Sequence, residues 1–220
     1  MRLCRINSHS ANAVREYINY KSVLMICMID VVIPNKNENE FIEIAQKLGY
    51  EKLIFLYTSD KNIPQIKTDK IKISFGILTA KGGKAKYLTF MQSADKDQQI
   101  IENNPPNAVF GFEAKSEKDY LHQRASGLNN VICTFAQKNK VIIAFSFAQI
   151  LKSYKTKRAQ IFGRFMQNIR LCRKYQVKTA IASFATQPFK MRSPNDMQAV
   201  FCLLGMTPQD AKKSFETIDI

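Results

Sequence analysis

Short apolar runs alternate along the chain with stretches whose apolar residues repeat every three to four positions. These are the signatures of buried strands and amphipathic helices. MIDVVIP (28–34) is a nearly continuous apolar run, as in a strand covered on both faces. ENEFIEIAQKLGY (38–50) follows with helical spacing; Asn37 stands at its N-cap, acids fill its first turn and Gly49 suits its C-terminal cap. KLIFLYT (52–58), KISFGILT (72–79), YLTFMQS (87–93), NAVFGFE (107–113), VIIAFSF (141–147) and TAIASFA (179–185) read as further strands. Helices are predicted over DKDQQIIENN (95–104), RASGLNNVICTFAQKNK (124–140), RAQIFGRFMQNIRLCRKYQVK (158–178) and NDMQAVFCLLG (195–205), the last with Pro194 at its start. A final helix, with Thr207 as N-cap, closes the chain.

Repeated strand–helix units imply a parallel sheet with helices outside. Seven strands favour an α/β, TIM-barrel-like single domain over an open sheet, and no GxGxxG follows the first strand to suggest a dinucleotide site. One connection is odd: AKGGKAK (80–86) is too short for a crossover helix, which fits a hairpin and an irregular barrel at that point. Residues 1–27 fall outside the alternation and carry Arg2, Arg5, Arg15 and Lys21. They are either a basic arm or an extension without structural consequence; the domain spans 28–220.

Charge is spread unevenly over these elements. The helix over 158–178 contains no acid. At about 100° per residue, Ile161, Phe162, Phe165, Ile169 and Cys172 share an apolar side, with Arg164, Arg170 and Lys174 mostly opposite and Arg173 near the border. Residues 120–195 hold fourteen of the chain's 33 basic residues and none of its 18 acidic ones, so almost all of the net charge of +15 lies in one third of the chain. Charge segregated in this way calls for a polyanion or anionic surface to offset its self-repulsion, whereas a solvated face needs no such partner.

Five scattered cysteines without a CxxC pair suggest neither a disulfide framework nor a zinc ribbon, and fit a reducing, cytoplasmic setting. Cys133 and Cys172 lie in apolar helical stretches and read as small buried hydrophobes. No apolar run is long enough to span a bilayer.

A parallel barrel places its working loops beyond the carboxyl ends of its strands. Those positions carry Asn35 and Lys36 after the first strand, Glu113, Lys115, His122 and Arg124 after the fifth, Lys152, Lys155 and Arg158 after the sixth, and Ser183, Lys190 and Arg192 after the seventh. This is a rim of cations, suited to phosphate through bidentate arginine contacts. Two histidines, His9 and His122, cannot build the usual barrel metal centre. His122 reads as a phosphate contact, a structural residue or a general base. Arg158, in the first turn of its helix, either holds a loop or meets a phosphate. KGGK (81–84) reads as a turn.

MIDVVIPN, HQRASGLNNVICTFAQKNK, RAQIFGRFMQNIRLCRKYQVK and ASFATQPFKMRSPNDMQAVFCLLGM resemble the ribonuclease P protein component 3 family, the archaeal counterpart of a eukaryotic ribonuclease P subunit. The resemblance covers about 28–206, is strongest over 122–206 and loosest over 80–106. It implies a TIM-barrel-like subunit of the ribonucleoprotein that removes 5′ leaders from precursor tRNA. Catalysis then belongs to the ribonuclease P RNA. Mg²⁺ belongs to that RNA as well, and the protein itself holds no metal or other cofactor. Ribonuclease P protein component 2 and further protein subunits are the implied partners. His122, Arg124, Arg158, Arg164, Ser183 and Arg192 carry over as RNA- or structure-bearing positions; Lys115, Lys152, Lys155, Arg170, Arg173 and Lys190 complete the candidate RNA contacts. The competing reading is a stand-alone, metal-dependent barrel phosphoesterase.

Overall fold

Successive side chains of each buried strand point to opposite faces and so sort between two apolar layers, and this alternation builds the molecule. A computed structural model describes residues 27–66 and 68–218, so the basic stretch before Cys27 lies outside the described residues. Seven strands form one sheet in chain order: β1 (Ile29–Val32), β2 (Lys52–Tyr57), β3 (Lys72–Leu78), β4 (Leu88–Gln92), β5 (Ala108–Phe110), β6 (Ile142–Ser146) and β7 (Thr179–Ala182). All six neighbouring pairs are parallel. Around them stand α1 (Glu38–Leu48), α2 (Asp97–Asn103), α3 (Asn130–Lys138), α4 (Phe147–Lys152), α5 (Lys155–Lys174), α6 (Pro194–Leu203) and α7 (Pro208–Lys213). Among the described residues no helix is long and apolar enough to cross a membrane.

Ile29, Val31, Ile54, Leu56, Phe90, Phe110, Ile142, Ala144, Ala180 and Ala182 point into the barrel. Their sequence neighbours, such as Val32, Phe55, Val109, Ile143, Phe145 and Ile181, pack outward beneath the helices. The interior mixes large and small residues to fill a narrow space. Phe184 stacks on Phe110, with ring centres 4.2 Å apart, and meets Phe90 edge-on at 6.3 Å. Gly76 leaves room for them: a Cβ there would stand 2.6 Å from Leu56 Cδ2 and 3.2 Å from Phe90 Cδ2.

The barrel closes between β7 and β1 in two different ways. Toward the carboxyl ends, Phe184 N–H donates to Val31 O at 2.8 Å and Ile33 N–H to Ala185 O at 2.9 Å. The buried Asp30 carboxylate reinforces this join by accepting from Ser183 N–H at 2.6 Å and Val31 N–H at 2.9 Å. Toward the amino ends no such strand pairing bridges the gap among the described residues. Instead the turn after α7 fills it: Ile181 N–H donates to Ser214 O at 3.1 Å, and Ile218 is buried with the interior cluster.

The structure corrects one expectation. The β3–β4 connection is not a hairpin, because Gly76 pairs with Leu88 and Leu78 with Phe90 in parallel register. The two strands are staggered, so the chain has only to step back about two residue rises, roughly 7 Å, before β4 begins. A short loop suffices, and among the described residues no helix stands between β3 and β4 in the chain. Two helix starts also differ from the pattern reading. The helix expected from 124 begins only at Asn130, where the Asn129 side chain accepts from Ile132 N–H at 2.8 Å. The helix expected from 158 begins at Lys155.

Candidate nucleic-acid interface

The loop between β5 and α3 is fastened along the first part of α5. Lys157, Arg164 and Asn168 do the fastening, and their spacings of seven and four residues place them within about 40° of one another on the helix. Lys157 Nζ donates to Glu117 O at 2.7 Å. Arg164 donates through Nη1 to Glu113 O at 2.8 Å and Ser116 O at 2.6 Å, and through Nε to the Asp119 carboxylate at 2.8 Å. Asn168 Nδ2 donates to Glu113 Oε1 at 2.7 Å and Ser126 O at 2.8 Å. On the other side of α5, Arg124 lies over Gly163, where a Cβ would come 2.7 Å from Arg124 Nε. Glycine costs about 1 kcal/mol in a helix interior, so Gly163 is explained by the seat it leaves for that guanidinium.

Burial sets the protonation of this clamp. Removal from water pushes the Glu113 carboxyl up to about 7, against the opposing pull of the Asn168 hydrogen bond and the Arg164 charge. At Asp119 a smaller desolvation is outweighed by the Ala125 N–H and by the Arg164 and Arg124 guanidinium groups, which hold its carboxyl below the ordinary range. Burial likewise raises Asp30 to about 6 despite its backbone donors.

Arg164 requires a second correction. It is not on the wet face of its helix but fully buried, because the β5–α3 loop covers that flank. Every donor distance above ties it to that loop, and in this conformation it cannot reach a phosphate. Ser183 is also buried and caps the barrel seam, accepting from Ala185 N–H at 3.2 Å. Arg158 takes the first of the two roles open to it: its Nε donates to Ser153 O at 3.0 Å and holds the α4–α5 link. Lys115 Nζ bonds to Ala94 O at 2.6 Å and pairs with Asp97 at 3.4 Å, tying two rim loops together.

The remaining cations fall into three places. His122, Arg124, Lys152 and Lys155 are exposed around the β5–α3 loop and the start of α5. Arg170 and Arg173 lie toward the far end of α5, where Arg173 Nη2 donates to Gly205 O at 2.7 Å and stands 3.8 Å from Asp210. Lys190 and Arg192 lie past β7 on the α1 side. Lys190 Nζ is 5.9 Å from the Phe189 ring centre, and Arg192 Nη1 donates to Phe189 O at 3.0 Å and Met191 O at 2.7 Å. The structure thus gathers four of the candidates on one surface and disperses the rest. Lys157, Asp119 and the exposed Tyr120 and Tyr154 belong to that surface, with Asn168 and Glu113 buried beneath it, and none of them was among the candidate RNA contacts. The shared angle of Lys157, Arg164 and Asn168 was the available signal.

The usual catalytic position of a parallel barrel, its carboxyl mouth, is filled by Phe90, Phe110 and Phe184. The polar surface lies outside the barrel, and it is cationic.

Residues 118–218, which span most of this surface, match the model of a family described as RNase P subunit p30. Over 195 residues the chain is 24% identical to "Ribonuclease P protein component 3" of Methanococcus maripaludis strain C5, covering 85% of this chain and 77% of that protein. A shorter match of 95 residues is 32% identical to the protein of the same name in Methanosarcina acetivorans, covering 43% and 40%. Among solved structures, a chain of "cryo-EM structure of archaeal Ribonuclease P with mature tRNA" superposes with a TM-score of 0.66 at 18% identity, covering 85% of this chain and 87% of that one. That likeness establishes the TIM-barrel-like fold, and the family resemblance read from the sequence is borne out.

Proposed function

From a chain that matches the RNase P subunit p30 family over 118–218 and is similar to ribonuclease P protein component 3 over most of its length, we propose that it is a protein subunit of an archaeal-type ribonuclease P that removes 5′ leaders from precursor tRNA. One observation carries this reading: the matched region contains the acid-free, cationic third of the chain, whose exposed cations stand on the outside of a barrel whose mouth is packed with phenylalanine. A surface of this kind neutralises phosphates that RNA folding crowds together, and it recognises backbone and shape more than base sequence. The chemistry is the RNA's, with Mg²⁺ held by the RNA. The protein acts in the cytoplasm with ribonuclease P protein component 2.

The test is reconstituted cleavage of precursor tRNA by the cognate RNA and its component 2 partner at limiting Mg²⁺, with and without this chain. We expect the chain to raise the cleavage rate or lower the Mg²⁺ requirement. No change, with RNA and partner shown to be competent, overturns the reading.

A further inference from the structure

We infer that the surface where the β5–α3 loop lies along the first part of α5 is a stacking platform for unpaired RNA nucleotides, Tyr120 and Tyr154 taking bases and the surrounding cations taking phosphates. This rests on the RNA-binding reading above and narrows it to single-stranded RNA and to named side chains.

Exposed aromatic rings are the first observation. Tyr120 is 73% exposed, Leu121 91% and Tyr154 70%. Isolated apolar side chains on a surface need no explanation, but these belong to two segments fastened to each other. Lys157, three residues past Tyr154, bonds to the carbonyl of Glu117, three residues before Tyr120. Cations surround the rings: Lys118, His122, Arg124, Lys152 and Lys155 are all exposed, and Lys155 Nζ lies 5.4 Å from the Tyr154 ring centre. Of the three acids on the loop, Glu113 is buried against Asn168 and Asp119 is engaged by Arg164 and by Ala125 N–H, which leaves Glu117.

Aromatic faces interleaved with cations suit a single strand, because every unpaired base offers a flat face and every nucleotide a phosphate. A duplex hides its base faces and presents phosphates alone. An acidic protein would use the charges but would not need two exposed rings beside them.

The support beneath the rings is the second observation. Buried Arg164 and Asn168 make five hydrogen bonds to the loop's carbonyls and carboxylates. Lys155 takes a φ of 44°, a left-handed value that lysine seldom adopts, and so turns the chain sharply just after Tyr154. The rings are presented from a fixed base, which lowers the entropy lost on binding.

The experiment measures binding of a short single-stranded RNA, the same strand with abasic sites, a duplex of equal phosphate number, and polyglutamate, by wild-type protein, Tyr120→Ala, Tyr154→Ala and the two Tyr→Phe variants. Each alanine variant is expected to bind the single strand roughly ten-fold more weakly, with duplex binding and salt dependence unchanged; phenylalanine restores the affinity. Both tyrosines are exposed, so unchanged thermal unfolding shows that the variants are folded. Equal losses on strand and duplex, undiminished binding of the abasic strand, or no loss at all overturns the inference. If the alanine variants bind the strand normally while the wild-type chain still stimulates cleavage, the stacking platform is wrong and the subunit reading stands. If the wild-type chain binds neither RNA and does not stimulate cleavage, both fall. Tyrosine-dependent binding of polyglutamate in place of RNA assigns the surface to an acidic protein.

Discussion

Glu113 and Arg164 show how much of the clamp rests on single buried groups. Glu113 titrates at about 7 in the fold, above the roughly 4.3 of a free glutamate. Between those values the folded chain holds a proton that the unfolded chain releases. Glu113 therefore contributes stability below about pH 4, and that contribution is lost as pH rises through about 7. Glu113→Gln keeps the acceptor for Asn168 and has no proton to lose. Thermal unfolding of both proteins at pH 5 and pH 8 is expected to show the variant gaining on the wild type at the higher pH, with Asp30 acting equally in both. A difference that does not change with pH would show that the carboxyl is ionised in the fold. Arg164 has no such neutral substitute. Arg164→Ala leaves the buried Glu113 carbonyl without its donor, the Ser116 carbonyl with only Lys157 Nζ at 3.4 Å and Asp119 without its ion pair, a loss of about 3 kcal/mol. The urea midpoint should fall accordingly, and a shift within error would mean that the loop finds other donors.

At the scale of elements, the repeating pattern was a good guide because every strand but the half-open β3 is largely buried on both faces and the longer helices on one. Continuous runs such as IDVV and IIAFS, and stripes such as Ile161, Phe165, Ile169 and Cys172, carry that information locally. The β3–β4 register was not legible, because a stagger between strands leaves no trace in either strand's own sequence. The burial of Arg164 was not legible from charge either: a helix flank covered by a loop carries polar residues just as a wet flank does. The seam between β1 and β7 also lay beyond the pattern, since it joins a carboxylate in the first strand to Ser183 just past the seventh, and the turn after α7 to that strand itself. It supports a prediction of its own. Ile218→Ala removes the side chain that fills the lower gap and should cost about 3 kcal/mol. Amide exchange should quicken at Ile181, bonded to Ser214 O, more than at Phe184, bonded to Val31 O. Equal protection at both sites would show that the last turn does not hold the seam.

Over the whole molecule two of the three groups of cations stand at opposite ends of one long helix, and that separation distinguishes two docking surfaces that net charge alone cannot tell apart. Twenty residues of α5 extend about 30 Å, far more than the screening length of about 8 Å at physiological salt. Lys152 and Lys155 at one end therefore act independently of Arg170 and Lys174 at the other. If RNA lies against the β5–α3 loop, Lys152→Gln with Lys155→Gln removes two phosphate contacts. The slope of log affinity against log salt should then become shallower by roughly 0.7 for each contact with single-stranded RNA. Arg170→Gln with Lys174→Gln should leave the slope unchanged while removing the same formal charge. Binding titrations of both double variants over a range of salt make the comparison directly. The reverse result moves the RNA to the far end of α5, beside the Arg173–Asp210 pair. Equal, smaller effects from both would mean that the chain attracts RNA as a diffuse charge, without a seat for it.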